Sequence, residues 1–581
     1  MTRPRIAATY AARTEATNKN SLYDSYIRAF RWATDRITND GIVCFVSNGG
    51  WINSNSAAGF RKTLVEEFDH IYVFNLRGNT RASGEQVRRE GGKVFGQGSR
   101  STIAVTMLIR TGAKERCHVR YWDIGDYLSR SEKLSIVGQG SLNAIQWTTV
   151  APNQWGDWVN FRDANYGTYN PLGQKASDEG SVPAIFDLYS NGVKTQRDAW
   201  CWGYSRAAVS ANTERMIANY NQQVHDLLGE THAGGIIDSE RVGTFIDTIP
   251  TKINWTRSLK DRLRRGRSIR HDSERIVVGA YRPFCKERFY FDSAMNEMVY
   301  QQPRIFPDGH RGNVGICLTG TSSHFEFCCL IADRVPDLHL LDTSQFFPRY
   351  RYVAPVATGD TPLFQDTECA TPEMERVDNV TDISLVDYRA TFGNDVTKDA
   401  IFYYVYGLLH LPEYRARYAA DLGKALPRIP KVKGFREFSE AGRCLADLHL
   451  GYEAVIPYPL DDPSTLPGFS GSLRVHKMRF VSGVDKKADR SRLAYNGDVT
   501  LAGIPEEAHR YQIGPRSAIE WLIDRYQVKT DKDSGIVNDP NAWCDEVGDP
   551  RYIIDLVKRI VTVSLETMRI VDSLPPLDLV Q

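Results

Sequence analysis

Eight cations crowd one short stretch, at Lys252, Arg257, Lys260, Arg262, Arg264, Arg265, Arg267 and Arg270, opposed within that span only by Asp261. Such a run repels itself unless it is fully solvated or meets an anion, and the planar fork of arginine matches phosphate oxygens. Two readings follow: a surface that tracks a phosphate backbone, or a solvated charged face. Contacts of the first kind would position DNA without reading its sequence. Trp255 lies inside the run.

A second basic group, Arg77, Arg81, Arg88, Arg89 and Lys93, is interleaved with Gly78, Gly84, Gly91 and Gly92 between two apolar runs. That is where an α/β scaffold carries its functional loops. Gly96-Gln97-Gly98 lies in the same loop, but a dinucleotide fingerprint needs a strand before it and a helix after it, and here a strand follows. Other chemistries leave no trace. There is no G-x-x-x-x-G-K-[ST] phosphate loop, no H-E-x-x-H and no C-x-x-C pair, and no Asn or Asp stands before Pro-Pro and an aromatic. The twelve histidines are dispersed, which favours structural over catalytic roles.

The net charge of +1 announces no polyanionic partner for the chain as a whole, so a nucleic-acid surface must be local. A hydrophobic content of 42% with 25% charged residues suits a globular chain, and 581 residues allow two or three domains. The ten scattered cysteines suggest neither a disulfide framework nor a zinc site, so a reducing cytoplasm is expected. Residues 1–20 are polar, and no apolar run approaches membrane-spanning length.

The elements that must position these groups begin with an amphipathic helix over Ser21–Ile37, capped by Ser21 and followed by Gly41. Ile42–Val46 reads as a strand buried on both faces, as in a parallel sheet covered by helices. A helix over Ala57–Phe68 and strands over Ile71–Leu76 and Thr102–Arg110 follow. No strand precedes the first helix, so the pattern is the second half of a doubly wound α/β domain, and the chain is expected to begin mid-domain.

Beyond Arg110 the pattern shifts to short strands and tryptophan-rich turns with an α+β character, and Thr111–Lys114 reads as a hinge. Pro355–Val380 separates this region from a helical one. There, Ile401–His410 is apolar nearly all round and should be a buried helix, its tyrosines either stacking on bases or filling a core, with the core favoured. A second helix should begin at Pro412, and the end at Pro575-Pro576 should fray. The expected divisions are residues 1–115, 116–395 and 396–581.

Three stretches carry a resemblance: Ala16–Arg28; Gly41–Asn48; and Phe74–Asn79 with Arg81–Glu85. So do Ala280–Phe284 with Tyr290–Asp292, and Phe402–His410 with Pro427–Pro430. Together they resemble the methyltransferase and target-recognition half of type ISP restriction-modification enzymes, within the gamma class of adenine-N6 DNA methyltransferases. The resemblance covers essentially the whole chain. It implies the second half of a Rossmann-like methyltransferase sheet, then an α+β target-recognition region and a helix-rich C-terminal part.

The resemblance further implies double-stranded DNA as a partner, with S-adenosylmethionine in the intact enzyme but none bound by this chain alone. It places Phe95 against a flipped adenine, where a stacked ring offsets part of the unstacking cost; a packed loop anchor is the other reading of Phe95. Arg77, Arg81 and the cations of 252–270 become candidate DNA contacts. The glycine-rich cofactor loop, the catalytic tetrapeptide and the helicase motifs are missing, so no catalytic residue is assigned and no activity is expected of this chain alone. An N-terminal polypeptide carrying nuclease, helicase and methyltransferase motifs would complete it. The strand at Ile42–Ser47 would then lie beside a missing strand, with one edge unpaired. Two other outcomes stay open: an active stand-alone methyltransferase with degenerate motifs, or a structural remnant without DNA contact.

Overall fold

The computed structural model describes residues 2–16, 18–80, 84–95, 100–112, 116–174, 182–230, 238–321, 323–354, 374–483 and 487–580. Two compact units emerge, one of residues 1–167 with 416–425, the other of 168–415 with 426–581.

The first unit is built on helices α1 (Thr2–Ala8), α2 (Ser25–Thr34), α3 (Ala58–Glu67), α4 (Gly84–Glu90) and α5 (Arg130–Gln139). Its strands are β1 (Asp40–Asn48), β2 (His70–Arg77), β3 (Ile103–Thr111), β4 (His118–Asp123) and β5 (Thr148–Val150), in the sheet order β1-β3-β2-β4-β5. Only β2 and β4 run parallel; β3 lies antiparallel to both β1 and β2. The expectation of a parallel sheet with β1 buried on both faces is therefore corrected. β1 is an edge strand in which only Val43 is buried, and alternate residues Ile42 and Val46 stand 65% and 55% exposed. An apolar β-branched run reads alike whether its second face is covered or bare, so composition alone could not separate the two cases.

Ser21 does not cap α2. An extended Asp24 separates a short 3-10 turn, Asn20–Tyr23, from the helix, and Ser21 instead hydrogen-bonds Ser56 across 2.8 Å. The other face of the sheet packs an aromatic core in which Phe30, Trp51, Phe60 and Trp158 meet edge to face at 5.2–6.2 Å. The division expected at residue 115 falls inside this sheet, because β4 and β5 extend it.

In the second unit, helices α6 (Asp198–Cys201), α7 (Arg206–Glu230), α8 (Ser239–Phe245) and α9 (Arg257–Arg264) accompany a three-stranded sheet. That sheet orders Trp202–Gly203, Cys285–Tyr290 and Ile276–Arg282 side by side. A four-stranded sheet holds Cys329–Ala332, Gly315–Leu318, Gln345–Pro348 and Ser190–Asn191. The buried helix is present at Lys398–His410, where Tyr404 and Tyr406 are fully enclosed and serve the core. The helix-rich C-terminal part also carries a three-stranded sheet, Arg479–Ser482, Ala488–Ala494 and Thr500–Ala502, whose polar strands hid it from a search for apolar runs. Nor does the end fray, because the Lys433 amide donates to Asp578 and the Val580 amide to Lys431, each at 2.9 Å. Most of Pro355–Val380 lies outside the described residues.

Glu287 is buried on the central strand of the three-stranded sheet, where its Oε2 accepts from the Asn538 side chain at 3.1 Å. Burial pushes its carboxyl up to about 8, so it is protonated in the fold at neutral pH. A raised folded-state value means stability is complete below the unfolded value and is lost as pH rises through about 8. Glu287→Gln should therefore remove this loss: urea midpoints at pH 9 are expected to exceed those of the unaltered chain, with little difference at pH 5.

Candidate nucleic-acid interface

The basic segment is a helix followed by a clipped loop. Thr256 caps α9, its hydroxyl accepting from the Leu259 amide at 3.5 Å, and Leu259 and Leu263, one turn apart, are fully buried. Anchoring that face turns Arg257, Lys260, Arg264 and Arg265 outward. After Gly266 the chain is fastened to α7. The Tyr220 hydroxyl donates to the Arg267 carbonyl at 2.8 Å, and the Asn221 side chain both donates to and accepts from the Ile269 backbone, at 2.8 and 2.9 Å. Arg267 and Arg270 are thereby displayed on a fixed backbone, both exposed.

Seven of the eight cations face solvent; Arg262 is half-buried and donates to the Ser268 carbonyl at 2.9 Å. Arg264 and Arg265 share Asp261, at 2.8 and 2.7 Å, and Lys252 pairs with Asp247 at 3.0 Å. The bond from Arg264 holds the Asp261 carboxyl below its ordinary range, so it stays ionised. No described carboxylate lies within ion-pair distance of Arg257, Lys260, Arg267 or Arg270. Trp255 is structural: its indole donates to the Asp247 carbonyl at 2.8 Å and its ring lies 5.9 Å from that of Tyr220. Tyr220, Asn221 and Asp247 were not foreseen, since nothing in their spacing ties them to a segment so far along the chain.

In the first unit, the loop candidates divide. Arg77 is committed to two acids, donating to Asp123 at 2.6 Å and pairing with Asp126, and its backbone is left-handed at φ 55°. Arg81 lies outside the described residues, as do Gly96, Gln97 and Gly98. Part of the presumed loop is the helix α4. Gly91 and Gly92 serve close backbone approach, since a Cβ there would stand 2.2 Å from the Leu128 carbonyl oxygen and 2.4 Å from the Arg130 nitrogen. Val94 is buried and accepts from Arg130 at 3.1 Å, and Phe95 is 49% exposed and outside the described apolar cluster that holds Val94.

β1 runs into Gly49-Gly50, but the Gly49 amide is used by the Thr102 carbonyl at 2.9 Å, and Trp51 and Ile52, both buried, fill the turn that follows. Among the described residues no group of acids, histidines and cysteines could hold a metal ion, and no described helix is long and apolar enough to cross a membrane.

The model of the Type ISP C-terminal specificity domain matches residues 184–556, a span that contains the whole basic segment. Comparison with curated proteins gave no match. Among solved structures, the chain is similar to a nuclease-deletion mutant of the Type ISP restriction-modification enzyme LlaGI in complex with a DNA substrate mimic. The identity is 37% and the TM-score 0.85, over 100% of this chain and 50% of that one. It is also similar to the ATP-dependent Type ISP restriction-modification enzyme LlaBIII bound to DNA, at 34% identity and a TM-score of 0.84, over 99% of this chain and 35% of that one. A DrdV–DNA complex solved by cryoEM gives 32% identity and a TM-score of 0.82, over 98% of this chain and 54% of that one. The chain thus spans from 35% to 54% of the length of these relatives. With the family model matched over most of its length and identities above 30% over nearly all of it, the chain belongs to the Type ISP restriction-modification family, within the part that bears the C-terminal specificity domain.

Proposed function

We propose that this chain is the DNA-binding, target-recognition portion of a type ISP adenine-N6 DNA methyltransferase, and that it grips double-stranded DNA through the cations of 252–270. The observation that carries the reading is the position of that segment: inside the matched specificity domain, clamped at both ends, with four cations that have no described carboxylate within ion-pair distance. Backbone rigidity favours a phosphate surface over a merely solvated face, because pre-positioned cations lose little entropy on contact. Phe95, exposed beside its buried anchor Val94, is the proposed platform for a flipped adenine. Arg77 and Arg81 contribute at most secondary contacts in this reading, Arg77 because it is already paired.

The finer fold assignment follows the same line. The five-stranded sheet is the second half of a Rossmann-like methyltransferase sheet, and the bare edge of β1, with Ile42 and Val46 uncovered, receives a strand and helix from a polypeptide that also supplies the S-adenosylmethionine loop and the catalytic tetrapeptide. A long apolar edge is otherwise an aggregation hazard. Without that polypeptide the chain is inactive as a methyltransferase.

Duplex binding measured across a salt series tests the reading. Each phosphate neutralised should add about 0.9 to the steepness of log affinity against log salt. A slope of several units is expected, and salt-independent affinity would overturn the proposal. Incubation with labelled S-adenosylmethionine and mixed-sequence DNA is expected to transfer nothing; robust transfer would overturn the inactivity.

A further inference from the structure

Beside the basic segment, within the second unit, a cleft of about 760 Å³ opens between the turn Thr195–Arg197, residues 248–255 and the segment near Asp531. Its chemistry differs from that of the segment. Lys194, Gln196 and Asn254 share its wall with His339, Asp531 and Asp533. Of the four carboxylates in its wall, Asp198 and Asp337 face Arg282, and the other two, Asp531 and Asp533, make it a poor cradle for phosphate, yet the set supplies donors and acceptors together. That mixture is what the edges of base pairs present in the major groove, where Asn and Gln pair with adenine, Lys with guanine and Asp with cytosine.

The turn that carries Gln196 is held like a fixed display. Gln196 is exposed and left-handed at φ 56°, a conformation that side chains other than glycine rarely adopt. Arg197 next to it is buried and joins the turn to the α9 cap, donating to the Thr256 hydroxyl at 2.5 Å and to the Met295 carbonyl at 2.9 Å. Asn254 donates to the Gln196 carbonyl at 3.3 Å. The same Thr256 that starts the basic helix therefore fixes the angle of the turn, so the phosphate-facing cations and the cleft share one rigid frame.

We infer that the exposed turn at the rim of this cleft reads base edges in the major groove of double-stranded DNA, with Gln196 and Asn254 as specificity-determining residues. The inference rests on the phosphate-tracking role proposed for 252–270 and assigns sequence discrimination to a separate set of side chains.

The test is selection of bound duplexes from a randomised pool by the full chain, followed by the same selection with Gln196→Gly and with Asn254→Ala. Glycine takes positive φ freely, so Gln196→Gly keeps the turn and removes only the amide. The expected result is relaxed base preference at one position, by roughly five- to a hundred-fold in relative affinity, with affinity for non-preferred duplexes and the salt slope unchanged. Thermal stability of Gln196→Gly should be at least that of the unaltered chain, which a structural role for the side chain would not give. Base preferences that survive both substitutions would overturn the inference while leaving the phosphate surface standing. So would an equal loss for every sequence. If the unaltered chain shows no salt-dependent duplex binding, the parent reading and this inference fall together.

Discussion

Replacing Arg257, Lys260, Arg267 and Arg270 together by glutamine is expected to lower duplex affinity on the order of a thousand-fold at about 0.1 M salt, and to flatten the log–log salt slope by about 3.6. The size follows from counting. These four cations have no described carboxylate partner, so each is free to displace one counterion from DNA. Arg264 and Arg265 form the contrast. Both lean on Asp261, so the trio carries a single net positive charge that Arg264→Gln with Arg265→Gln turns into a single negative one, and the slope should flatten by at most about 1.8. Asp261→Asn should act in the opposite sense by releasing that pair. A quadruple variant that matched the double one would mean that charge merely accumulates on this face without touching phosphate. Because all the substituted side chains are exposed, the fold should be intact, and circular dichroism is the control.

How far the sequence carried this site depends on the distance over which each signal acts. The eight cations were legible because charge density lies in one local window, whereas their helix, anchored by Leu259 and Leu263 in that same window, was not read from it. The buried helix at 398–410 was legible for the same reason. What the sequence could not show were contacts between distant segments. Tyr220 and Asn221 clamp a loop that follows them by 47 and 48 residues, and Asn254 meets Gln196 across 58. Nothing in residues 195–197 marks a left-handed glutamine, since no glycine or asparagine stands there. The bare face of β1 was misread for a related reason: burial on the second face depends on what covers the sheet, and Ile42, Cys44 and Val46 read the same either way. Ser21 looked like a cap because it preceded an apolar period, but the extended Asp24 takes the boundary and leaves Ser21 to Ser56.

The segment 416–425 is the extreme case, joined to the first unit through a bond that spans 267 residues, and it sets the second large expectation. Asp157 is buried and accepts from Lys424 at 2.8 Å, Arg162 at 2.9 Å and Asn153 at 3.1 Å, with the Arg61 guanidinium 3.7 Å away. Arg61 is fully buried and donates to the carbonyls of Gly156, Trp51 and Ser54 at 2.6, 2.6 and 2.8 Å. One carboxylate therefore answers three cations. Asp157→Asn keeps the shape and removes that charge, leaving buried cations unpaired, at an expected cost of about 3–5 kcal/mol. Lys424→Met is the contrast, since Asp157 keeps Arg162; about 1–3 kcal/mol is expected. Burial alone would raise the Asp157 carboxyl, but the bonds from Arg162, Lys424 and Asn153 overcome it and hold the group far below the usual carboxylate range. A depressed folded-state value means the stabilisation is complete above the unfolded value of about 3.9 and is lost as pH falls below it. Hydrogen exchange of the α3 amides reads the unit directly. The unaltered chain should lose protection steeply below about pH 4. Asp157→Asn should start lower and show a weaker dependence on acid, and equal protection in both chains at pH 7 would show that the carboxylate does not hold residues 416–425 in place.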